Sequence, residues 1–378
     1  MTDLPPVLFG APMLPDPARF ASLTAEALDA GWLTNGGILH MRLERALNER
    51  QHAGDTVSLT SSGTMALTLA LMLGELPAGA EVITTPLTFA ATAQAITALG
   101  LVPVFADVDP DRLTLCPRAV EAAITPRTAA ILSVHFLGIP CDVVALEALA
   151  RRHGLWLVYD AAHAFGAEID GMPIGHFGDA SAFSLHATKL LNTAEGGFVV
   201  TRGNQAAALR RLRNFGLEQG RATGPGLNGK LSELHAAMGL ALLPDLPAEL
   251  TARRALRQAY DSAFSGLPGL RLHRAGGESP GYYALRLAPD LRARLVLALA
   301  EGRIFARDHF PLLCGPGTYW AGYGIVTASG TPPVAPEAGP ELLCLPFHGR
   351  ITAPQLARIT AIVSAVLDHR DPKPEQAE

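Results

Sequence analysis

From about Asp55 onward, short apolar runs alternate with longer stretches of helical period, the pattern of βαβ units around a largely parallel sheet. The strand candidates are Thr56–Leu59, Glu81–Thr84, Val102–Phe105, Ala130–Val134 and Leu155–Tyr159. Between the last two, Asp142–His153 reads as an amphipathic helix with Asp142 as N-cap and Gly154 as its stop. Met65–Leu73 is apolar on every face and ends at Gly74-Glu75, well short of the ~20 residues a bilayer span needs. It predicts a buried helix. Glu195-Gly196-Gly197 is a glycine turn feeding a strand that runs to Thr201, followed by an arginine-rich helix.

The alternation breaks around Pro244-Asp245-Leu246-Pro247, before a long helix carrying Arg253, Arg254, Arg257 and Tyr260. The boundary is placed there: residues 1–246 form a large domain and residues 247–378 a small C-terminal α/β domain. Within the latter, Tyr319–Pro340 is rich in Gly and Pro without a clear period and reads as a functional or mobile loop. The tail Asp371-Pro372-Lys373-Pro374-Glu375 is expected to fray. No internal repeat is visible.

Composition narrows the classes. With 378 residues, 49% of them hydrophobic and 17% charged, the chain can bury a large core. A net charge of -5 gives no overall basic field for nucleic acid, and Arg210-Arg211-Leu212-Arg213 reads as a solvated helix face. Cys116, Cys141, Cys314 and Cys344 have neither CxxC spacing nor nearby histidine pairs, so no metal site is expected and a reduced, cytoplasmic enzyme fits. The N-terminus has no basic region followed by an apolar core, so neither secretion nor a membrane partner is expected.

Two segments carry the chemistry. Leu157-Val158-Tyr159-Asp160-Ala161-Ala162-His163 delivers a carboxylate at the end of a strand, where ligands bind in open α/β sheets. Ser181-Ala182-Phe183-Ser184-Leu185-His186-Ala187-Thr188-Lys189 delivers a lysine just after another apolar run. The pair suits pyridoxal phosphate, which needs an amine to hold it as a Schiff base and an acid to keep its ring nitrogen protonated. Lys189 is then anchor and, once released, proton carrier, and Asp160 is the partner of the ring nitrogen. Ser61-Ser62-Gly63-Thr64 lies between a strand and the Met65 helix, where free amides and the helix dipole would receive a phosphate, with Ser184 adding a hydroxyl. Taken on sequence alone, Phe89 is a core aromatic. Gly224-Pro225-Gly226-Leu227-Asn228-Gly229 matches GxGxxG in form, but it follows a polar turn instead of a strand, so a dinucleotide site is rejected.

These segments, with Trp32-Leu33-Thr34-Asn35-Gly36 and Asn228-Gly229-Lys230-Leu231-Ser232-Glu233-Leu234, resemble the DegT/StrS-type sugar aminotransferases, a branch of the fold-type I pyridoxal phosphate enzymes. The likeness is strong over the first two thirds of the chain. Beyond that it rests on Asp308-His309-Phe310-Pro311-Leu312 and Cys344-Leu345-Pro346. The resemblance implies an α/β fold of aspartate aminotransferase type and transfer of an amino group from glutamate to a nucleotide-linked keto-sugar. It also implies that His163 hydrogen-bonds the cofactor's phenolic oxygen, where many members carry glutamine. Phe89 would stack on the ring and Thr64 would join Gly63 at the phosphate. Asn228 would reach the phosphate held by the neighbouring subunit, which makes a homodimer with shared active sites. Trp32–Asn35, Glu81–Pro86 and Tyr159–Gly166 are nearest to the subgroup making dTDP-4-amino-4,6-dideoxyglucose. A dehydratase on the same fold relies on histidine at the lysine position, and Lys189 speaks against it. A non-catalytic sensor of sugar nucleotide would not need the intact lysine, aspartate and phosphate loop. An ordinary amino-acid aminotransferase would need a cation for the acceptor carboxylate, which Arg307 or Arg350 could supply.

Overall fold

The computed structural model describes residues 5–51, 57–203, 205–273 and 279–368. Met1–Leu4, Thr56 of the first strand candidate and the 371–375 tail lie outside the described residues. Two helices open the chain, α1 (Pro17–Asp29) and α2 (Ile38–Arg50). There follow β1 (Val57–Thr60), α3 (Gly63–Met72), β2 (Glu81–Thr84), α4 (Ala91–Ala98), β3 (Val102–Ala106), α5 (Pro117–Ala123), β4 (Thr128–Val134), α6 (Val143–His153) and β5 (Trp156–Asp160). A small hairpin, β6 (Glu168–Ile169) and β7 (Met172–Pro173), precedes β8 (Ala180–Ser184) and β9 (Gly197–Thr201). After α7 (Ala206–Leu212) comes a second hairpin, β10 (Leu217–Glu218) and β11 (Arg221–Ala222), then α8 (Glu233–Leu242) and α9 (Leu246–Phe264). The chain closes with β12 (Arg271–Leu272), β13 (Tyr283–Arg286), α10 (Pro289–Glu301), β14 (Ile325–Val326), α11 (Ala335–Glu341), β15 (Leu342–Leu345) and α12 (Ala353–Asp368).

Eight strands form one sheet in the order β1-β9-β8-β5-β4-β2-β3-β14. Only β9 opposes the rest, pairing antiparallel with both β1 and β8. The strands read as unbroken apolar runs because both faces are covered. Val82, Leu132, Val158 and Ala182 meet α3 on one face. Ile83, Ile131, Leu157 and Tyr159 meet α5 and α6 on the other. Helix α3 buries Ala66, Leu67, Leu69, Ala70 and Leu71, and each fully buried leucine contributes about 2–3 kcal/mol. Helix α6 has the expected ends: Asp142 accepts from the Ala145 amide, and Gly154 closes it at φ 64°. Among the described residues, no helix is long and apolar enough to cross a membrane.

The C-terminal part has its own core, in which Leu256, Tyr260 and Phe264 of α9 meet β13, β15, α10 and α12, joined by Val7 from the start of the chain. The Pro244 break is a short 3-10 turn, Leu243–Asp245, that runs directly into α9. Two expectations need correction here. The Tyr319–Pro340 segment is not a plain loop: β14 pairs parallel with β3 at the edge of the large sheet, and Asp107 caps α11 by accepting from the amides of Val334 (2.7 Å) and Ala335 (2.9 Å). A two-residue strand and a helix containing Pro340 are too short to show a period. Nor is the arginine-rich helix end wholly solvated. Arg213 is buried and donates to Glu44 and to the Leu59 carbonyl, both at 2.7 Å. That pairing and the His40 ring hold Glu44 down at about 2, although burial pushes the other way.

One buried carboxylate ties two of the family-like segments together. Gly37 precedes α2 and has no side chain to cap it. Instead Glu233, fully buried, accepts from the amides of Leu39 (2.8 Å) and His40 (3.1 Å), while its own amide donates to the Leu33 carbonyl (3.0 Å). A Cβ at residue 37 would sit 2.6 Å from the Glu233 carboxyl carbon, so glycine is required for the approach. Replacing Glu233 by Ala leaves two helix-start donors unmet in the core and should cost about 2–4 kcal/mol. Urea unfolding checks this: the midpoint falls in Glu233→Ala and falls less in Glu233→Gln, whereas an unchanged midpoint in both would show that the cap carries no stability.

Candidate active site

Asp160 is the last residue of β5 and is 5% exposed. Its Oδ2 accepts from the Thr92 hydroxyl (2.8 Å) and its Oδ1 from the Ala162 amide (3.0 Å). Thr92 has one proton and gives it to the carboxylate, so the Thr88 hydroxyl, 2.8 Å away, donates to Thr92. A relay of two buried threonines from the start of α4 therefore fixes the carboxylate. Burial pushes the Asp160 pKa up, while Thr92, the Ala162 amide and the charge of Lys189 pull it down. A cationic ring nitrogen brought against this group would hold it ionised.

Lys189 follows β8 in a tight turn, its amide donating to the His186 carbonyl (2.9 Å). The side chain is partly buried, and Nζ lies 3.4 Å from the Tyr282 hydroxyl. His163 borders the same small cavity as Lys189 and Tyr282. Its ring stacks on Phe310 (5.4 Å, 11°) and meets the edge of Tyr282 at 5.1 Å. Burial first, then the charges of Lys189 and His309, hold its pKa well below the usual histidine value, so the ring is neutral. The buried Nδ1 has no hydrogen-bond partner among the described residues. It is thus an unpaired polar atom at the site, available to a polar group of a ligand.

The start of α3 lies beside Ser184, at the end of β8. Ser62 caps the helix by accepting from the Met65 amide (3.1 Å), which leaves the amides of Gly63 and Thr64 as orphan donors of the first turn. Gly63 is required: a Cβ there would be 2.8 Å from the Ser184 Cβ. Ser184 Oγ accepts from the His186 amide (3.3 Å), so its own proton is free to donate. Amides, dipole and hydroxyl together make a phosphate cradle. The residues present therefore fit pyridoxal phosphate at both ends, carboxylate for the ring nitrogen and cradle for the phosphate. A cavity of about 790 Å³ lies elsewhere and is lined by none of Asp160, His163 or Lys189. Chemistry, not volume, locates the site.

The core reading of Phe89 is corrected: the side chain is 58% exposed and lies 5.7 Å from Phe310. Its position just before α4, at the open end of the sheet, leaves no layer to cover it. Asn228 does not join the Lys189 cluster. It is exposed, bridges to Asn214, and lines a separate groove with Thr34, Asn35, Phe215 and Lys230. The Lys230 amine there donates to Asn214 (3.2 Å) and sits 4.5 Å over the Phe215 ring. The Gly224–Gly229 stretch lies between the β10–β11 hairpin and α8, which fits its rejection as a dinucleotide site. Sequence reasoning assigned no role to Thr88, Thr92, Tyr282, His309 or Phe310. His309 and Phe310 stand in the Asp308–Leu312 segment that carries the resemblance, whereas Thr88, Thr92 and Tyr282 have no signal of their own.

Comparison with known proteins agrees with this fold. Residues 17–364 match the DegT/DnrJ/EryC1/StrS aminotransferase family. The chain is 34% identical, over 96% of its length and 99% of the relative's, to a dTDP-4-amino-4,6-dideoxy-D-glucose transaminase of Shigella dysenteriae. Such a transaminase of Escherichia coli is 32% identical, over 93% of this chain and 96% of the relative. The solved structure of DesI with its TDP-sugar product superposes with a TM-score of 0.89 at 35% identity, covering 96% of this chain and 93% of that one. The fold, the buried carboxylate and lysine and the matched span agree that the chain belongs to the DegT/DnrJ/EryC1/StrS aminotransferase family.

Proposed function

We propose that this enzyme moves an amino group from glutamate to a nucleotide-linked keto-deoxysugar, with dTDP-4-keto-6-deoxyglucose as the acceptor. The observation that carries the reading is the buried Asp160 carboxylate within electrostatic reach of Lys189, at the strand ends and beside the α3 amides. The named products of the relatives from Shigella dysenteriae and Escherichia coli support the choice of sugar. Pyridoxal phosphate is the family's cofactor, and when bound it supplies an electron sink and a carrier for the amino group.

The chain's residues divide the work as follows. Lys189 holds the cofactor at rest and, once freed, moves a proton at Nζ. Asp160 keeps the ring nitrogen protonated, and the Thr88–Thr92 relay keeps Asp160 facing it. Neutral His163 offers its unpaired nitrogen to the phenolic oxygen. Gly63, Thr64 and Ser184 take the phosphate. Phe89 covers the ring from its exposed position beside Phe310. Asn228 serves the site of a second copy, in a homodimer. Trp32, Leu33, Ile38 and Met41, all at least 45% exposed around the start of α2, support that pairing as an apolar face near the Asn228 groove. We assign residues 1–246 to the cofactor-binding part and 247–378 to the smaller part, and place the enzyme in the cytoplasm, where its four free cysteines stay reduced.

Borohydride reduction of the loaded protein should fix the cofactor to one peptide containing Lys189, and label on another lysine would overturn the assignment. Asp160→Asn keeps the phosphate contacts and should still bind cofactor while losing about 10²–10³-fold in kcat. Near-normal turnover there would make Asp160 structural. Lys189→Ala and Asn228→Asp homodimers should each be badly impaired, yet regain part of the activity on mixing, because one site of a mixed dimer has both native groups. No rescue after proven subunit exchange would place Asn228 within its own site or outside catalysis. Finally, protein loaded as pyridoxamine phosphate should recover the visible band of the aldehyde form on addition of the 4-keto sugar nucleotide. Recovery with small 2-oxo acids other than 2-oxoglutarate, and with no keto-sugar nucleotide, would favour an amino-acid aminotransferase.

A further inference from the structure

The C-terminal part of the chain places the Tyr282 hydroxyl within hydrogen-bond reach of Lys189. Tyr282 lies just before β13, and its hydroxyl is 3.4 Å from Lys189 Nζ. Four hydrogen bonds to backbone groups fix the turn that carries it. Ser279 Oγ accepts from the amides of Gly281 (3.2 Å) and Tyr282 (2.9 Å). Arg257, buried on α9, donates to the carbonyls of Ser279 (2.6 Å) and Tyr282 (2.7 Å). The turn is also seated on the large sheet's side of the site: a Cβ at Gly138 would stand 2.6 Å from Ser279 Oγ and 2.7 Å from the His163 carbonyl. The Tyr282 ring is wedged among His163 (5.1 Å), His309 (5.8 Å) and Phe9 (6.5 Å). Its hydroxyl therefore has a defined direction, and that direction is Lys189.

We propose that Tyr282 is a positioning residue for Lys189, its hydroxyl oxygen accepting an N–H of the amine and so aiming the nitrogen during proton transfer. The proposal rests on the reading of Lys189 as the cofactor's lysine. A lysine amine sits on a four-carbon stem with many rotamers, and a fixed acceptor removes that freedom before the proton moves. The proton is taken up and handed on by Nζ alone, and Tyr282 keeps its own. The other titratable groups facing Nζ are Asp160, His163 and His309. Burial, then the charge of Lys189, holds His309 down to about 4, and His163 is also well below its usual value, so neither ring changes charge near neutral pH.

The test is Tyr282→Phe in the full-length, cofactor-loaded protein, a change that keeps the ring packing and removes only the oxygen. An oxygen that accepts from a protonated nitrogen stabilises the protonated form, so losing it should lower the pH midpoint of the bound cofactor's visible band by about half a unit or more. In steady state, kcat should fall about tenfold while KM for glutamate and for the sugar nucleotide stays within about twofold. An unmoved midpoint with unchanged kcat overturns the proposal, and so does a loss confined to KM, which would put the hydroxyl on the substrate. Borohydride mapping of the same variant separates the two levels. Label retained at Lys189 with an unmoved midpoint removes the role of Tyr282 alone, while label on another lysine removes the reading of Lys189 and this proposal with it.

Discussion

The site depends on a carboxylate held out of water. An isolated buried Asp160 would shed its charge by taking a proton, because burial disfavours the ionised form. Two neutral donors and one nearby cation offset that tendency without cancelling it: Thr92, the Ala162 amide and Lys189 lower the pKa, and burial still raises it. The carboxylate is thus under-compensated by the protein itself. A protonated pyridine nitrogen would supply the missing charge, which is a physical reason for such a site to favour that cofactor over a neutral ring. The same burial keeps the histidines beside it neutral, so the charges that remain near Lys189 are few.

Holding that arrangement requires the whole sheet. Asp160 is aligned through β5, Lys189 follows β8, the threonine relay comes from the start of α4, and the phosphate cradle comes from the turn between β1 and α3. These strands are neighbours or near neighbours in space while being far apart in the chain. Because every strand at the site is buried on both faces, a shift of one strand would misplace side chains in two cores at once. The precision of the site is a property of packing.

The C-terminal part is bound to this frame by short backbone contacts and has little of its own sheet. Asp107 caps α11, β14 extends the large sheet, the Leu313 amide donates to the Pro86 carbonyl (2.9 Å), and the Ser279–Tyr282 turn sits against Gly138. Phe310 lies between Phe89 and His163. One wall of the active site therefore belongs to a part of the chain with a different hydrophobic core, so motion between the two cores would change the site directly. The Glu233 cap likewise joins distant parts of the chain. It sets the 32–36 turn against the segment that carries Asn228, and so shapes the groove in which Asn228 is exposed.

Much of this was legible in the residues. Strands β1 to β5, helix α6 with both its caps, the buried α3 and the chemical pair Asp160 and Lys189 follow from period, capping residues and residue type, because each is governed by interactions within a few positions of chain. Gly63 and Ser184 follow from the strand-to-helix turn and the residue types, and the resemblance adds His163, for the same local reason: the residues stand within short motifs. What the sequence could not yield is what depends on distant segments meeting. Tyr282 and Thr92 carry no signature, since a tyrosine before a strand or a threonine in a helix start is ordinary until the lysine or the carboxylate stands beside it. Phe89 looked like core because apolar aromatics usually are, and only the layer arrangement leaves it uncovered. Arg213 looked solvated because its neighbours in the chain are, while its partners Glu44 and Leu59 come from the other end of the domain. Strand β14 was invisible because two residues have no period and its only support is an edge made by β3. Local free energy fixed the elements and the chemistry. Tertiary packing alone decided which side chains surround that chemistry, because desolvation and proximity are set by where the chain returns to itself.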